Sequence, residues 1–382
     1  MSALAQDNEK QLVGERSVRA ELAQRDIDPF ALSETLETQN KVFLGLFGKD
    51  SDGANYETAG GSEDSLRKFW DAVRAGYLEA LEPGACKGYH TYTHALDVML
   101  TSHSMLSAGG SVVLPKHEQT GMLLAAYAHD VLHPGMNNMF YVNTKAPVAL
   151  KYDNKSVLEL QSIDFAMPMV EKLNIFEENS EAYNLIVDCI KWTDMSLHKD
   201  LVGKIEAFHG KFLATLNEVR TEKGMEAKEC GICQEDVDKG IDLGGRFTSE
   251  ERSLFASFMM HCADISNCAK GWSVTERWAV CIMNEFWSQG DTEKALGLPV
   301  SFNCDRESVE TPKCQWGFIT FMLIDLFKLF ERFLPELGKW YSDNLVKNQS
   351  IWKEFMDKGE PYSNVFRPPS KVGGWKAPIS RE

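Results

Sequence analysis

The sequence predicts an all-α protein, and three observations predict it. Apolar residues recur at helical spacing in almost every periodic segment, no stretch alternates with turn residues at both ends as a strand would, and Gly, Pro, Asn and Asp gather between the periodic segments. Residues 8–25 read as a polar, charged helix that Asp28-Pro29 breaks, and a second helix is expected from Ser33 to about Phe47. Lys49 to Asp64, rich in Gly, Ser, Asp and Asn, reads as a loop. From Ser65 to Leu81 the helical spacing returns, with Phe69, Val73, Tyr77 and Leu81 on one face, and Pro83-Gly84 ends it. Further helices are expected at roughly 90–106, 117–131, 155–172, 180–195, 200–222, 249–266, 272–289 and 314–345. Thr221–Gly245, polar and carrying Gly231, Gly240, Gly244 and Gly245, reads as an exposed insertion between helices. The expected organisation is an N-terminal helical segment at 1–64 packed on a main domain at 65–350, with an inserted loop near 221–245 and a C-terminal tail at 351–382.

Hydrophobic content of 43% and charged content of 25% are those of a soluble globular protein, and 382 residues bury a sizeable core. The net charge of −16 argues against a nucleic-acid polymer as partner, because no basic stripe is available to neutralise phosphates. An acidic chain that handles a small anion needs local positive charge, and bound cations supply it. The nine cysteines, in a chain whose first thirty residues are polar rather than a signal peptide, read as reduced thiols in a cytoplasmic protein. Cys230 and Cys233 form a single CxxC with no second pair to complete a tetrahedral zinc site. The apolar stretches Met122–Tyr127 and Phe318–Leu334 are too short or too charged to span a bilayer and read as buried helices.

Five of the nine histidines fall in three clusters: Tyr89-His90-Thr91-Tyr92-Thr93-His94, His129-Asp130-Val131-Leu132-His133, and His261-Cys262-Ala263-Asp264. In the first two the histidines are four apart, a spacing that on a helix stacks both imidazoles on one face. His129-Asp130 follows the apolar run Met122–Ala128, and His261 and Asp264 follow Phe255–Met260. Ionisable groups buried in such surroundings are expensive unless paired or bound to metal. Two imidazoles with two carboxylates suit zinc, manganese or iron. Asp130 is able to give one oxygen to each of two ions, and two adjacent cations activate a water and screen charge on phosphate oxygens, which is the chemistry of phosphoester hydrolysis.

These clusters resemble the class I 3′,5′-cyclic-nucleotide phosphodiesterases, whose motifs look like Tyr-His-Asn-x-x-His-Ala-x-Asp-Val, His-Asp-x-x-His-Pro-Gly-x-x-Asn and His-Cys-Ala-Asp-x-Ser-Asn. All three occur here in order, with Tyr152–Glu159, Thr193–Ser196 and Gln315–Ile319 resembling further family motifs, over about residues 65 to 345. The resemblance implies the HD-type fold of the family, a compact multi-helix bundle in one catalytic domain. It also implies hydrolysis of cAMP and/or cGMP to the 5′-monophosphate with two divalent metal ions. His94, His129, Asp130 and Asp264 would hold a tight ion, usually zinc, and Asp130 would bridge to a second, usually magnesium or manganese. A bridging hydroxide would attack phosphorus and His90 would protonate the departing O3′ as general acid. That role requires a carboxylate to keep His90 charged, and Glu159 is expected either there or hydrogen-bonded to waters of the second ion. His133 would donate to phosphate or to a metal-bound water. Gln315 would read the purine edge, Phe318 and Ile282 would clamp the base with Phe286 in support, and Tyr89, Met195 and Asn267 would complete the pocket. Asn267 offers its amide to an adenine edge, which leans toward cAMP.

Some positions depart from the family pattern: Thr91 for asparagine, Cys268 for proline, Leu160, Gln161 and Ser162 for Asn-His-His, and unusual neighbours of Gln315 in Trp316 and Thr320. None removes an expected metal ligand, and together they suggest a lineage distant from the familiar animal enzymes. Two other readings stand beside this one at the level of sequence. A different His-Asp metallohydrolase would have no use for the Gln315–Phe318 pair, and a non-catalytic nucleotide binder would have lost a ligand or His90.

Overall fold

Residues 22–48, 61–79, 88–358 and residue 362 are described by a computed structural model. The stop at Pro83-Gly84 and nearly all of the helix expected at 8–25 lie outside the described residues. Every regular element among the described residues is helical: α1 Pro29–Ser33, α2 Leu36–Phe47, α3 Glu63–Glu79, α4 Tyr92–Ser107, α5 Lys116–Ala128, α6 Asn138–Asn143, α7 Pro147–Lys151 and α8 Val157–Lys172. There follow α9 Glu181–Lys191, α10 His198–Glu222, α11 Gln234–Asp238, α12 Ser249–Asp264, α13 Trp272–Ala295, α14 Thr311–Phe318, α15 Ile324–Glu331 and α16 Pro335–Lys358. No described helix is long and apolar enough to cross a membrane.

α5 lies at the centre because it has no polar face: from Glu118 to Ala128 every residue is buried. α4 flanks it, and the apolar face of amphipathic α9 (Ala182, Leu185, Ile186, Cys189, Ile190) packs against both α5 and α12. Gly121 permits the close approach of α5 to α9, since a Cβ there would sit 3.2 Å from the Ala182 carbonyl oxygen. A capping box fixes the start of α12: Thr248 Oγ1 accepts from the Glu251 amide at 3.3 Å while Glu251 Oε2 accepts from the Thr248 amide at 3.1 Å. Arg252 then ties α12 to α5 and α9, donating to Glu118 at 2.8 Å and Glu181 at 2.9 Å. The far end of α12 is thereby aimed so that Asp264 faces the ends of α4 and α5.

Two expectations are corrected. The long helix at 314–345 is three helices. α14 passes through a wide π turn at Ile319–Leu323 into α15, and Pro335, which supplies no amide proton, opens α16. Thr320 Oγ1 donates to the Trp316 carbonyl at 2.6 Å and accepts from Gln349 Nε2 at 2.9 Å, so two of the unusual residues secure that turn. The short helices α6 and α7 occupy a stretch for which no helix is predicted. The 221–245 segment, mostly exposed between α10 and α12, is anchored where Ile232 and Leu243 are buried and where Arg220 reaches from α10 to Asp236 at 2.7 Å with both side chains inaccessible. Replacing Asp236 by Ala leaves that guanidinium buried without its counter-charge, and a loss of about 3–5 kcal/mol in denaturant unfolding is expected.

Candidate active site and metal centre

The histidine pairs do not share helical faces. α4 begins at Tyr92 with Thr91 as N-cap, so His90 precedes the helix and His94 lies in its first turn. α5 ends at Ala128, His129 is its C-cap, and the chain turns at Leu132 (φ 66°) to reach His133 and turns again beyond it at Gly135 (φ 82°). Gln161 Nε2 and Ser162 Oγ clip this turn by donating to the Leu132 and Val131 carbonyls at 3.4 and 3.0 Å. Each pair therefore straddles a helix end, and its two imidazoles serve two different groups.

One member of each pair joins a metal-ligand cluster. His94, His129, Asp130 and Asp264 bring their ligand atoms within 4.8 Å of one another. His94 Nε2 is 2.9 Å from Asp264 Oδ1 and 3.7 Å from Asp130 Oδ2, and His129 Nε2 is 3.0 Å from Asp130 Oδ2 and 3.3 Å from Asp264 Oδ1. Both imidazoles are 1% exposed. The chemistry of these donors fits a cation. His129 Nδ1 donates to the Ala126 carbonyl at 2.9 Å, which in the neutral ring leaves a lone pair at Nε2. That buried atom makes no hydrogen bond, and two carboxylate oxygens facing it repel a lone pair unless positive charge lies between them. Burial alone would lower the His129 pKa, yet the Asp130 and Asp264 carboxylates raise it well above its usual value, so the cluster draws a cation.

The other members, His90 and His133, stack with ring centroids 3.9 Å apart and planes 22° from parallel. The carboxylate at His90 is Glu285 of α13, not Glu159. Glu285 Oε1 accepts a hydrogen bond from His90 Nδ1, while Oε2 accepts from the Tyr89 and His90 amides at 2.8 and 3.1 Å. Burial would lower the His90 pKa, but Glu285 and, further off, Asp130 raise it to about 9. His133 Nδ1 accepts from the Gly135 amide at 3.1 Å, which places the proton of its neutral ring on Nε2. Glu285 had a sequence signal: it is a lone acid in Ile282-Met283-Asn284-Glu285-Phe286-Trp287, where apolar neighbours make burial and a charged partner the expectation.

Glu159 sits elsewhere, accepting from Asn138 Nδ2 at 3.0 and 3.3 Å. Burial and then the nearby Asp194 carboxylate push its carboxyl up to about 7. Asp194 itself accepts from Ser156 Oγ at 2.6 Å and the Ser196 amide at 2.8 Å. The Asp130 carboxylate acts on Glu159 in the same upward direction.

Gln315 lies on α14, 4% exposed, with half-buried Phe318 one helical turn beyond. Ile282 and Phe286 are one turn apart on α13, on the side that carries Glu285, and α13 packs against α14. Neither Phe318 nor Phe286 stacks on another ring among the described residues. Met195 is 40% exposed on the turn Met195–Leu197, and the Tyr89 ring lies 4.5 Å from that of His94. Asn267 is turned inward: Nδ2 donates to Tyr89 Oη and Oδ1 accepts from the Cys268 thiol at 3.3 Å. Both ends of its amide are engaged within the protein, which removes the ground for a cAMP preference resting on Asn267.

Fold and site together define a helical domain with a buried histidine–aspartate cluster fit for a cation beside a stacked imidazole pair. The family model described as 3'5'-cyclic nucleotide phosphodiesterase matches residues 89–345, and the chain belongs to that family as a class I catalytic domain. It is 33% identical over 317 residues to the Bos taurus dual specificity calcium/calmodulin-dependent 3',5'-cyclic nucleotide phosphodiesterase 1B, covering 78% of this chain and 52% of that protein. It is 30% identical over 352 residues to the Mus musculus high affinity cAMP-specific and IBMX-insensitive 3',5'-cyclic phosphodiesterase 8A, covering 88% of this chain and 39% of that protein. The matched region is thus about half the length of these curated relatives, or less. Among solved structures, the phosphodiesterase domain of Salpingoeca rosetta rhodopsin phosphodiesterase has the same fold, with a TM-score of 0.70 at 24% identity over 88% of this chain and 92% of that one. LmjPDEB1 in complex with IBMX aligns with a TM-score of 0.67 at 25% identity over 90% and 98% of the two chains.

Proposed function

We propose that this chain hydrolyses the 3′,5′-cyclic phosphodiester of cAMP, cGMP or both to the 5′-nucleoside monophosphate. His94, His129, Asp130 and Asp264 would hold a tight cation, zinc in this reading, and Asp130 would offer its carboxylate to a second as well, magnesium or manganese, on the flank of Glu159 and Asp194. When bound, such a pair lowers the pKa of a water and neutralises charge on the phosphate oxygens. His90 supplies the leaving-group proton: its Nδ1 is committed to Glu285, so Nε2 faces the departing O3′ as the donor. His133 presents its Nε2 proton to a phosphate oxygen. Gln315 reads the purine edge between Phe318 and Ile282, with Phe286 in support and Tyr89 and Met195 at the margins.

The observation that carries this reading is the pairing of a four-ligand cluster with an imidazole held charged by Glu285 beside it. A metal cluster alone fits many hydrolases, whereas a poised proton donor fits expulsion of a poor alkoxide leaving group. Mass spectrometry of reactions with cAMP, cGMP and dGTP tests it. The expected result is 5′-AMP or 5′-GMP, one water heavier than substrate, with dGTP untouched. Turnover of dGTP with both cyclic nucleotides intact would overturn it.

A further inference from the structure

We propose that Gln289 of α13 is a positioning residue for His133, and that the buried Glu293 carboxylate orients it for that role. This rests on the reading that His133 faces the cyclic phosphate. His133 comes from the connection between α5 and α6, so no helix carries it. Gln161 and Ser162 clip the part of that connection before His133. Beyond it, Gln289 Oε1 accepts from the Asn137 amide at 2.8 Å, across 152 residues of sequence. Asn137 is also the N-cap of α6, its Oδ1 accepting from the Phe140 amide at 2.9 Å. Main chain and side chain are both fixed there, four residues after the imidazole.

Gln289 and Glu293 are buried one helical turn apart, and neither has a part in the chemistry described above. Glu293 Oε1 accepts from Gln289 Nε2 at 2.8 Å and from Ser301 Oγ at 2.6 Å, while Oε2 accepts from the Ser301 amide at 2.7 Å. A carboxylate only accepts, so it draws the NH₂ group of Gln289 and leaves the carbonyl oxygen for Asn137. The same carboxylate anchors the loop at 296–304. Leu298 of that loop packs against the apolar cluster that contains Met136, and at Gly290 a Cβ would collide with the Cys304 carbonyl oxygen. A buried line of hydrogen bonds thus runs from Ser301 through Glu293 and Gln289 to the far side of the His133 turn.

The test is a double-mutant cycle on kcat/KM per metal-loaded chain, with whichever of cAMP and cGMP the wild type turns over. Gln289→Ala is expected to lower kcat/KM by about tenfold with metal content retained. In a His133→Ala background the same change should cost less than about twofold, whereas a merely structural glutamine would cost the same in both. Gln289→Glu sets two carboxylates together and Glu293→Gln sets two amides together, so each alone is expected to lower activity by about fivefold or more. The paired exchange restores a donor facing an acceptor at each step from Asn137 to the Ser301 amide, and should return to within about threefold of wild type. If Gln289→Ala is unstable, Gln289→Glu takes its place in the cycle. An undiminished loss after His133→Ala, or either of Gln289→Ala and His133→Ala within about twofold of wild type, overturns the role of Gln289. A paired exchange no better than the single changes overturns the part given to Glu293. Failure of the wild type to hydrolyse either nucleotide instead overturns the functional reading beneath.

Discussion

Asp130→Ala is expected to lose bound metal and cyclic-nucleotide hydrolysis together. Asp130 Oδ2 lies 3.0 Å from His129 Nε2 and 3.7 Å from His94 Nε2, on the side of the cluster that adjoins His90 and the Glu159 flank. In the proposed reading its removal takes a ligand from the tight site and the carboxylate shared with a second ion. Loss of groups that merely support metal ligands costs about 10–100-fold, so loss of a shared ligand should exceed 100-fold. Elemental analysis of the purified variant checks this beside its turnover, with Asp130→Asn keeping the shape while removing the charge. Two ions per chain retained in Asp130→Ala would refute the bridging role.

His90→Ala is expected to keep metal and bind nucleotide while turnover falls by roughly 10²–10⁴-fold, the range for a general acid. The sign of the pH dependence follows from the Glu285 pair. His90 must be protonated to act, and its pKa is raised from 6.5 to about 9, so activity is present below that value and lost as pH rises through it. Glu285→Gln removes the charge that raises it and leaves burial, which lowers it. The alkaline limb of kcat should then move down by about one unit or more. A merely structural glutamate would lower turnover without moving that limb, and a pH profile separates the two.

The helical architecture was legible because α5 and α12 carry apolar residues on every side, and α9 on one, with no alternation that a strand requires. The four-residue cluster was legible for the same reason, since His129, Asp130 and Asp264 sit at the ends of segments that have to be buried. What the spacing concealed was the division of labour. A four-residue interval implies a shared helical face only while the helix continues, and both pairs fall where a helix starts or stops. Nothing in Val131-Leu132 announces the left-handed backbone at Leu132 that sends His133 to stack on His90. Glu285 is 195 residues from His90, and its partnership depends on how α13 docks rather than on any local pattern. What the sequence of the 221–245 segment concealed was its anchor, because the ion pair from Arg220 to Asp236 depends on tertiary packing. The departures at Ser162, Gln161 and Thr320 find structural work in clipping turns beside the site. For Thr91, whose side chain makes no capping hydrogen bond, nothing in the structure explains the substitution.

The proposed reaction depends on cations gathering where two imidazoles and two carboxylates meet. The most direct measurement is elemental analysis of the purified chain, with cAMP and cGMP turnover followed through chelation and metal add-back. It predicts two divalent ions per chain, activity that disappears with them, and recovery when zinc with magnesium or manganese is restored. Full turnover by a preparation stripped of metal would contradict it.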